Sequence, residues 1–394
     1  MPGPLDGVRI IELSTMVAGP FATMLLGDQG ADVIKIERPG SGDQTRLYGE
    51  SSGGFSAPFV NNNRNKRSVA VDLKSPQGVE VVKRLTARAD VVVQNFRPGV
   101  VERLGLDEPA LRKVRSDLIY VSVSGFGETG PLAKKPAYDP IIQAVTGLAS
   151  LQGGSDEARP RMIRALLPDK LTALTVAQGV AAALYARAMT GEGQHLRLSM
   201  FEVVMSFLWS HEMDAHTFVD RRKDGPESFS PYDMIYETAD GYICVATVTD
   251  EQFHRFTEAA DRTEWLRDPR FSTSAERERH RDARLELMQQ VIKMASTAEW
   301  LEKLEAADIP CGPVLSRREV VDHPHLRENG SLIELEHGQA GPIRQARHPI
   351  RFDRTPADEL GNPPLLGEHT FEVLREAGFG DDELASLKDK GAIA

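Results

Sequence analysis

The first two hundred residues alternate between short apolar segments and helical segments, and this alternation restricts the fold more than any other feature. The predicted strands are residues 8–13, 32–37, 68–73, 90–94, 118–123 and 195–200. Several are apolar almost throughout, as is typical of strands that are buried on both faces of a parallel sheet. The pattern therefore predicts an α/β domain with a mostly parallel sheet.

Helix signals fall between these strands. Ser75 and Pro76 provide an N-cap and a first-turn proline. A long Ala-rich segment follows Asp169 to about residue 189, where the turn sequence TGEG ends it. After about residue 225 the pattern changes to one strand followed by charge-rich helices, which predicts a smaller α+β domain.

The C-terminal segment differs again in composition. From about residue 332 it is rich in proline and glycine. A short strand is predicted near 350–352 and a short helix at 370–376.

The composition argues against several classes of protein. The net charge of −11 disfavours general nucleic-acid binding, which needs a basic surface. The sequence has no apolar run long enough for a membrane span and no secretory pattern at its start. Two cysteines, Cys244 and Cys311, are too few for a disulfide framework, and no metal-ligand spacing is present. We therefore expect a cytoplasmic protein without a bound metal.

Residues 125–130, GFGETG, match the G-x-G-x-x-G pattern and follow a predicted strand. In a dinucleotide-binding loop this pattern opens a helix, whose N-terminus binds the pyrophosphate. Here Pro131 and the sequence KKP at 134–136 follow, and these are poor helix formers. The context therefore disfavours a dinucleotide site.

Cations are concentrated in loops that follow predicted strands. They lie in NNNRNKR at 61–67 and at Arg38, Arg97, Arg103, Lys134 and Lys135. Open α/β sheets bind ligands at the carboxyl ends of their strands, so these loops suit a polyphosphate. A basic run is equally often a solvated face, and the residue pattern leaves both interpretations open.

Asp169 directly precedes the long helix. An isolated aspartate at such a place is most often an N-cap that accepts hydrogen bonds from free N–H groups. The same place also suits a nucleophilic carboxylate, because helix-end N–H groups stabilise charge that develops on an oxygen.

Taken together, these segments resemble the family III CoA-transferases, the group of formyl-CoA transferase and α-methylacyl-CoA racemase. The similarity covers almost the whole chain in the family's order. Its main pieces are PLDGVRIIELS, VAGPFATMLLGDQGADVIKIERPGSGD, NRNKRSVAVDLK, DVVVQNFRPGVVERLGL, LIYVSVSGFGETGP, AYDPIIQAVTGL, TGEGQHLRLSMFE, DIPCGPV, HPHL and LGEHTFEVL.

The resemblance implies a particular domain organisation. A large Rossmann-like domain would be built from both ends of the chain, with a small α+β domain inserted. The expected bounds are 1–205 and 330–394 for the large domain, 225–320 for the small one, and 206–224 and 321–329 for the linkers. The resemblance also implies a homodimer whose two subunits interlock like chain links.

The resemblance further implies a set of coenzyme A contacts. The matching residues are Val17, Ala18, Arg38, Leu73, Lys74, Asn95, Phe96, Arg97, Arg103, Lys135 and Tyr138. Arg38 would flank the adenine and Arg103 would bind a phosphate, whereas Lys135 and Tyr138 would approach the pantetheine arm and the thioester. Cations in loops bind phosphates, and a planar guanidinium stacks on a base.

The implied activity is transfer of coenzyme A from an acyl-CoA to a free carboxylate, with Asp169 as a covalent nucleophile and without metal or ATP. Formyl-CoA transferase has a glutamine at the position of Val17 and a glycine-rich loop where this chain has VATVTDEQFHRF, which disfavours formate and oxalate as substrates. The racemases have a histidine at the position of Tyr138. A racemase-type isomerase and a non-catalytic CoA-binding protein, with Asp169 as a helix cap, are the alternatives.

Overall fold

The computed structural model describes residues 3–155, 157–219, 234–357 and 360–394. The strands are β1 (Arg9–Glu12), β2 (Asp32–Glu37), β3 (Ser51–Ser52), β4 (Phe55–Ser56), β5 (Lys66–Ala70), β6 (Val91–Gln94), β7 (Ile119–Ser124), β8 (His195–Ser199), β9 (Ile235–Glu237), β10 (Tyr242–Val245), β11 (Cys311–Pro313), β12 (Leu332–His337) and β13 (Gly341–Ala346).

The α-helices are α1 (Ala18–Gly27), α2 (Ala57–Asn63), α3 (Pro76–Thr86), α4 (Val100–Leu104), α5 (Glu108–Arg112), α6 (Asp139–Val145), α7 (Leu148–Gly153), α8 (Leu167–Thr190), α9 (Met200–Trp209), α10 (Asp214–Thr217), α11 (Asp250–Ala259), α12 (Ser274–Arg279), α13 (Arg281–Ile292), α14 (Thr297–Ala306), α15 (Arg317–Val321), α16 (Pro324–Glu328), α17 (Thr370–Glu376) and α18 (Asp381–Asp389).

A six-stranded sheet forms the centre of the larger unit, in the order β5-β2-β1-β6-β7-β8. Every neighbouring pair in it is parallel. When only the six strands of this sheet are numbered along the chain, the order is 3-2-1-4-5-6, the doubly wound order. The strand order reverses direction between β1 and β6. The predicted α/β fold with a mostly parallel sheet is therefore confirmed.

Helices cover both faces of this sheet, so neighbouring residues of one strand enter different cores. Ile10 packs into the cluster that holds α1 and α8. Ile11 packs into the cluster formed by α3 and the C-terminal helices α17 and α18. Both side chains are fully buried, which explains why these strands read as continuous apolar runs.

The residues Pro231–Gly330 form a second compact unit, while Met1–Ser230 and Ser331–Ala394 form the first. Within the second unit, the antiparallel sheet β11-β10-β9 shares a core with the surrounding helices. Phe256 stacks between Trp265 and Trp300 at this core.

Two sequence expectations need correction. The third strand begins at Lys66 rather than at residue 68, because the Lys66 side chain is buried in an ion pair and does not mark a loop. No strand forms near 350–352; instead, β12 and β13 pair as an antiparallel hairpin. The short helix predicted at 370–376 is confirmed as α17. Among the described residues, none of the helices has both the length and the apolar character needed to cross a membrane.

Candidate active site

A cavity of about 290 Å³ opens at the carboxyl ends of β1, β2, β5 and β6. Its apolar walls come from Leu13, Ile36, Val71, Leu73, Phe96, Val100 and Leu104. Its polar lining includes Arg38, Asp43 and Lys74. The cavity lies at the edge where the strand order reverses, which is where doubly wound sheets bind ligands.

Four of the predicted coenzyme A residues line this cavity, namely Arg38, Leu73, Lys74 and Phe96. Arg97 follows Phe96 directly, and Arg103 lies on α4, the helix that contributes two apolar residues to the cavity wall. The three arginines and Lys74 are exposed. Within the described parts of the chain, the three arginine side chains have no ion-pair partner, so their charges are available to an anionic ligand.

Asn95 connects the ends of the two strands at the point of reversal. Its side-chain carbonyl accepts a hydrogen bond from the Thr15 amide at 3.0 Å, and its Nδ2 donates to the Thr15 carbonyl at 2.8 Å. Asn95 therefore fixes the backbone of the loop that leaves β1.

The loop after β1 leads directly into α1, with Val17 as the N-cap and Ala18 as the first helical residue, both buried. Helix α1 follows a strand of the parallel sheet and α8 precedes one, so both run antiparallel to the strands. The two helices pack against each other, and Ala18 and Ala173 belong to the same core cluster. The N-termini of α1 and α8 therefore both lie at the carboxyl end of the sheet.

Asp169 is the third residue of α8, not its N-cap. The N-cap position is Leu166, which has a left-handed backbone (φ 40°) and provides no side-chain cap. Pro168, in the first turn, has no N–H to satisfy. The carboxylate of Asp169 therefore lies in the first turn of a 24-residue helix, where the helix dipole favours negative charge.

A second carboxylate, Asp139, lies beside the first and was missed by sequence reasoning. Asp139 is buried, accepts a hydrogen bond from the Gln143 amide at 2.6 Å, and accepts another from the Asp169 backbone N–H at 3.2 Å. Burial and the neighbouring charge of Asp139 raise the pKa of Asp169 to about 7, although Lys170 opposes them. A pKa perturbed by burial and by a specific charged neighbour marks a candidate reactive group.

Two further predicted residues lie on the segment that leads into α6. Tyr138 is the N-cap of α6, immediately before Asp139, and its side chain is 58% exposed. Lys135 places its ammonium 6.0 Å from the centre of the Phe126 ring. The chain connectivity therefore places Tyr138 next to the pair of carboxylates.

Tyr48 is a second residue that the sequence did not indicate. Tyr48 is 46% exposed, but the partial burial of its hydroxyl raises the pKa of that group, and the charges of Asp43 and Asp169 raise it further. The Tyr48 hydroxyl therefore lies within electrostatic range of both carboxylates. No sequence pattern marks this position, because its neighbours are far apart along the chain.

The basic run at 61–67 is neither a solvated face nor a ligand-binding loop. Arg64 pairs with Asp28 at 2.6 Å, Lys66 pairs with Glu12 at 2.8 Å, and Arg67 pairs with Asp32 at 2.7 Å. These cations neutralise carboxylates inside the domain or at its edge, so this run serves the fold.

No group of three or more His, Cys, Asp or Glu side chains within the described ranges is arranged to hold a metal ion.

Comparisons with known proteins identify the family. The family model for CoA-transferase family III matches residues 5–370. The chain is 32% identical to human succinyl-CoA:glutarate CoA-transferase, covering 99% of this chain and 90% of that one. It is 35% identical to succinate–glutarate CoA-transferase of Agrobacterium fabrum, covering 95% of each.

A solved structure of a CaiB/BaiF family protein from Brucella suis superposes with a TM-score of 0.82 at 32% identity, covering 96% of this chain and all of that one. The chain belongs to CoA-transferase family III. It is a CoA-transferase, as the sequence predicted.

Proposed function

We propose that this chain is an acyl-CoA:carboxylate CoA-transferase that works through a covalent aspartyl-CoA thioester on Asp169. One observation carries the proposal. A carboxylate with a pKa of about 7 lies in the first turn of α8, near the N-terminus of α1 and at the sheet edge that holds the cavity. A pKa near the working pH leaves a large share of the group ionised while keeping it a better nucleophile than an ordinary carboxylate.

The first half of the reaction moves coenzyme A onto the enzyme. A carboxylate oxygen of Asp169 attacks the thioester carbonyl of the donor; a C–O bond forms, the C–S bond breaks and CoA thiolate leaves. The thiolate then attacks the aspartyl carbonyl carbon. A new C–S bond forms, the anhydride C–O bond breaks, and the donor leaves as a free carboxylate.

The second half reverses these steps with another acid. The acceptor carboxylate attacks the aspartyl thioester and expels CoA thiolate, which gives a second mixed anhydride. The thiolate attacks the acceptor carbonyl of this anhydride, so the new acyl-CoA leaves and the Asp169 carboxylate is restored. No proton is consumed and no external energy source is needed, because one thioester replaces another.

The surrounding residues support these steps in distinct ways. The dipole of α8, whose first turn carries Asp169, stabilises negative charge that develops on the aspartyl carbonyl oxygen. Arg38, Lys74, Arg97 and Arg103 bind the phosphates and flank the adenine, and the apolar walls of the cavity receive the nucleotide end. Val17, Ala18, Leu73, Asn95, Phe96, Lys135 and Tyr138 complete the proposed contacts.

Two relatives act, by their names, on succinyl-CoA and glutarate or succinate and glutarate. We propose dicarboxylic acids as the first acceptors to test, with oxalate and formate as the disfavoured ones.

An interlocked homodimer and a cytoplasmic location belong to the same proposal.

The experiment is a screen of acyl-CoA donors against free acids, followed by mass spectrometry of the thioesters, for the wild type and for Asp169→Ala. Alanine cannot form the anhydride, so transfer should be lost while CoA binding, measured by calorimetry, is retained. Transfer by the variant at a rate near that of the wild type would refute the mechanism.

The racemase alternative has its own readout in the same samples. A racemase needs one group to remove the α-proton and another to return it on the opposite face, and this chain has Tyr138 where the racemases have a histidine. Proton NMR in deuterated water should show negligible α-deuteration of a 2-methylacyl-CoA. Rapid α-deuteration without transfer to any acid would favour the isomerase.

A further inference from the structure

We propose that Asp43 is a positioning residue for CoA transfer, which holds the loop Thr15–Val17 in the conformation that places the start of α1 beside Asp169. This proposal rests on the proposed function, because it takes Asp169 to be the reacting group. It extends that function to a buried charge cluster, defined here as Glu12, Lys35, Asp43 and Lys66, that none of the steps above uses.

The loop is held in an unfavourable conformation. Met16 has a left-handed backbone, with φ of 72°, a region that residues other than glycine rarely adopt. Such backbone conformations persist where several surrounding contacts hold the residue in place, and they are frequent at functional sites. Leu166, the N-cap of α8, is left-handed as well, so both helices that meet at the reacting end begin after a residue of this kind.

Side chains from elsewhere in the fold fix this loop through its backbone. Asp43 accepts a hydrogen bond from the Met16 amide at 3.2 Å. Asn95 makes its two hydrogen bonds to Thr15. Lys35 donates to the carbonyl of Ser14 at 3.0 Å. Three consecutive residues are therefore bound to side chains that the loop does not itself carry.

The buried charge cluster orients Asp43 for this contact. The ammonium of Lys35 lies 2.9 Å from one oxygen of Asp43 and 2.8 Å from Glu12, and Lys66 lies 2.8 Å from Glu12. All four side chains are fully buried. The other oxygen of Asp43 accepts from Met16 and from the amide and hydroxyl of Thr45, both at 2.9 Å. Such a carboxylate has little freedom to turn away from Met16.

The position of the loop links it to the chemistry. It connects β1 to α1, so its conformation sets where Val17 and Ala18 lie relative to the first turn of α8. The Tyr48 hydroxyl lies within range of the charges of both Asp43 and Asp169, which places the cluster and the nucleophile in one neighbourhood. Loss of the Asp43 contact should therefore misplace the reacting end and impair turnover more than it impairs CoA binding.

The test compares Asp43→Ala with the same change combined with Met16→Gly, using steady-state kinetics of CoA transfer and calorimetry of CoA binding. Asp43→Ala should lower kcat by about tenfold or more, and its effect on the Kd for CoA, whose cavity Asp43 also lines, should be several-fold smaller. Glycine takes a left-handed conformation without strain, so Met16→Gly should restore several-fold of the lost kcat. A purely structural role of Asp43 predicts no such recovery.

Asp28→Ala is the matched control for loss of stability. Asp28 is also a buried, ion-paired carboxylate, and it lies at the opposite end of α1. This variant should lose thermal stability but retain kcat. An equal fall of kcat in Asp28→Ala would overturn the positioning role, as would an Asp43→Ala variant that changes only the KM for acyl-CoA.

A second pair keeps the proposal testable if Asp43→Ala does not fold. Met16→Val and Met16→Gly both remove the methionine side chain, but a β-branched residue tolerates positive φ far less well. Met16→Val should have the lower kcat, with equal CoA affinity in the two variants. Equal kcat values would overturn the proposal. If no aspartyl thioester forms on Asp169 in the wild type, the proposed function fails, whereas the ratio of kcat values still tests the loop.

Discussion

Two carboxylates near the same edge of the sheet, Glu12 and Asp169, behave in opposite ways. Burial alone would raise the pKa of Glu12, but the charges of Lys35 and Lys66 outweigh it and lower the pKa to about 2. Asp169 is partly buried, and this burial, together with the charge of the neighbouring carboxylate Asp139, raises its pKa to about 7. Burial acts in the same direction on both groups, and only at Glu12 do partners of opposite charge reverse the sign of the pKa shift.

The difference separates charge that serves the fold from charge that we propose takes part in the reaction. A lowered pKa contributes stability above the pKa of the unfolded state, and this contribution is lost as the pH falls through the folded value. A raised pKa on an acid has the opposite effect. As the pH rises above the pKa of the unfolded state, the unfolded chain loses the proton more readily than the folded one, so the free energy of unfolding falls. Glu12 therefore stabilises the folded chain at neutral pH, whereas Asp169 destabilises it.

Removal of the Glu12 charge should give the largest effect on stability. Glu12→Gln leaves Lys35 and Lys66 without their shared partner in a buried site, and breaking such a pair costs about 3 kcal/mol or more. Urea denaturation at pH 7 measures the loss. The difference from the wild type should shrink as the pH falls from about 4 towards 2, because Glu12 is protonated in the unfolded state and becomes half protonated in the folded state. An unchanged free energy of unfolding at pH 7 would contradict the role assigned to the cluster.

The exposed cations around the cavity should affect substrate binding instead. Arg38→Ala or Arg103→Ala removes a charge-assisted contact to phosphate of about 1.5–3 kcal/mol, so the KM for acyl-CoA should rise about tenfold to a hundredfold. The KM for the acid and the thermal stability should change little. Lys113→Ala is the control, because Lys113 is an exposed cation on the connection that enters β7 from the opposite edge. Unchanged CoA affinity in both arginine variants would place the nucleotide elsewhere.

Neutralisation of Asp169 should stabilise the protein while it removes activity. Asp169→Asn at pH 8 should have a free energy of unfolding, measured in urea, that is higher than that of the wild type by roughly 1–3 kcal/mol, because a partly buried ionised carboxylate is removed. The difference should vanish below about pH 4, the usual pKa of an aspartate. A variant that is less stable than the wild type at pH 8 would show that the Asp169 carboxylate is held by a favourable partner instead.

The sequence correctly predicted the features that depend on the residues of a single strand, helix or loop. Local pattern predicts the apolar strands, the long helix after Asp169 and the loops that end at the sheet edge. The family resemblance marked Asp169 as the candidate nucleophile. The position of Asp169 inside the first turn, and not at the N-cap, depends on Leu166 taking a left-handed backbone. A sequence gives no sign of that choice, because leucine rarely makes it.

The remaining features depend on contacts between distant parts of the chain. Asp139 and Asp169 are 30 residues apart, and Lys35 meets Glu12 across 23 residues. The basic run at 61–67 was open to two interpretations because its partners, such as Asp28 and Asp32, lie on other elements. The hairpin β12–β13 was missed because its exposed face carries charged side chains, including a Glu334–Arg344 pair across the two strands.

The most direct test of the central role of Asp169 is to trap the intermediate. The wild type is incubated with an acyl-CoA donor and no acceptor, then digested and analysed by mass spectrometry, with and without hydroxylamine. The covalent mechanism predicts a CoA adduct on the peptide that contains Asp169, which hydroxylamine converts to a hydroxamate at that residue. Transfer of CoA to an added acid, without any modification of this peptide during turnover, would contradict it.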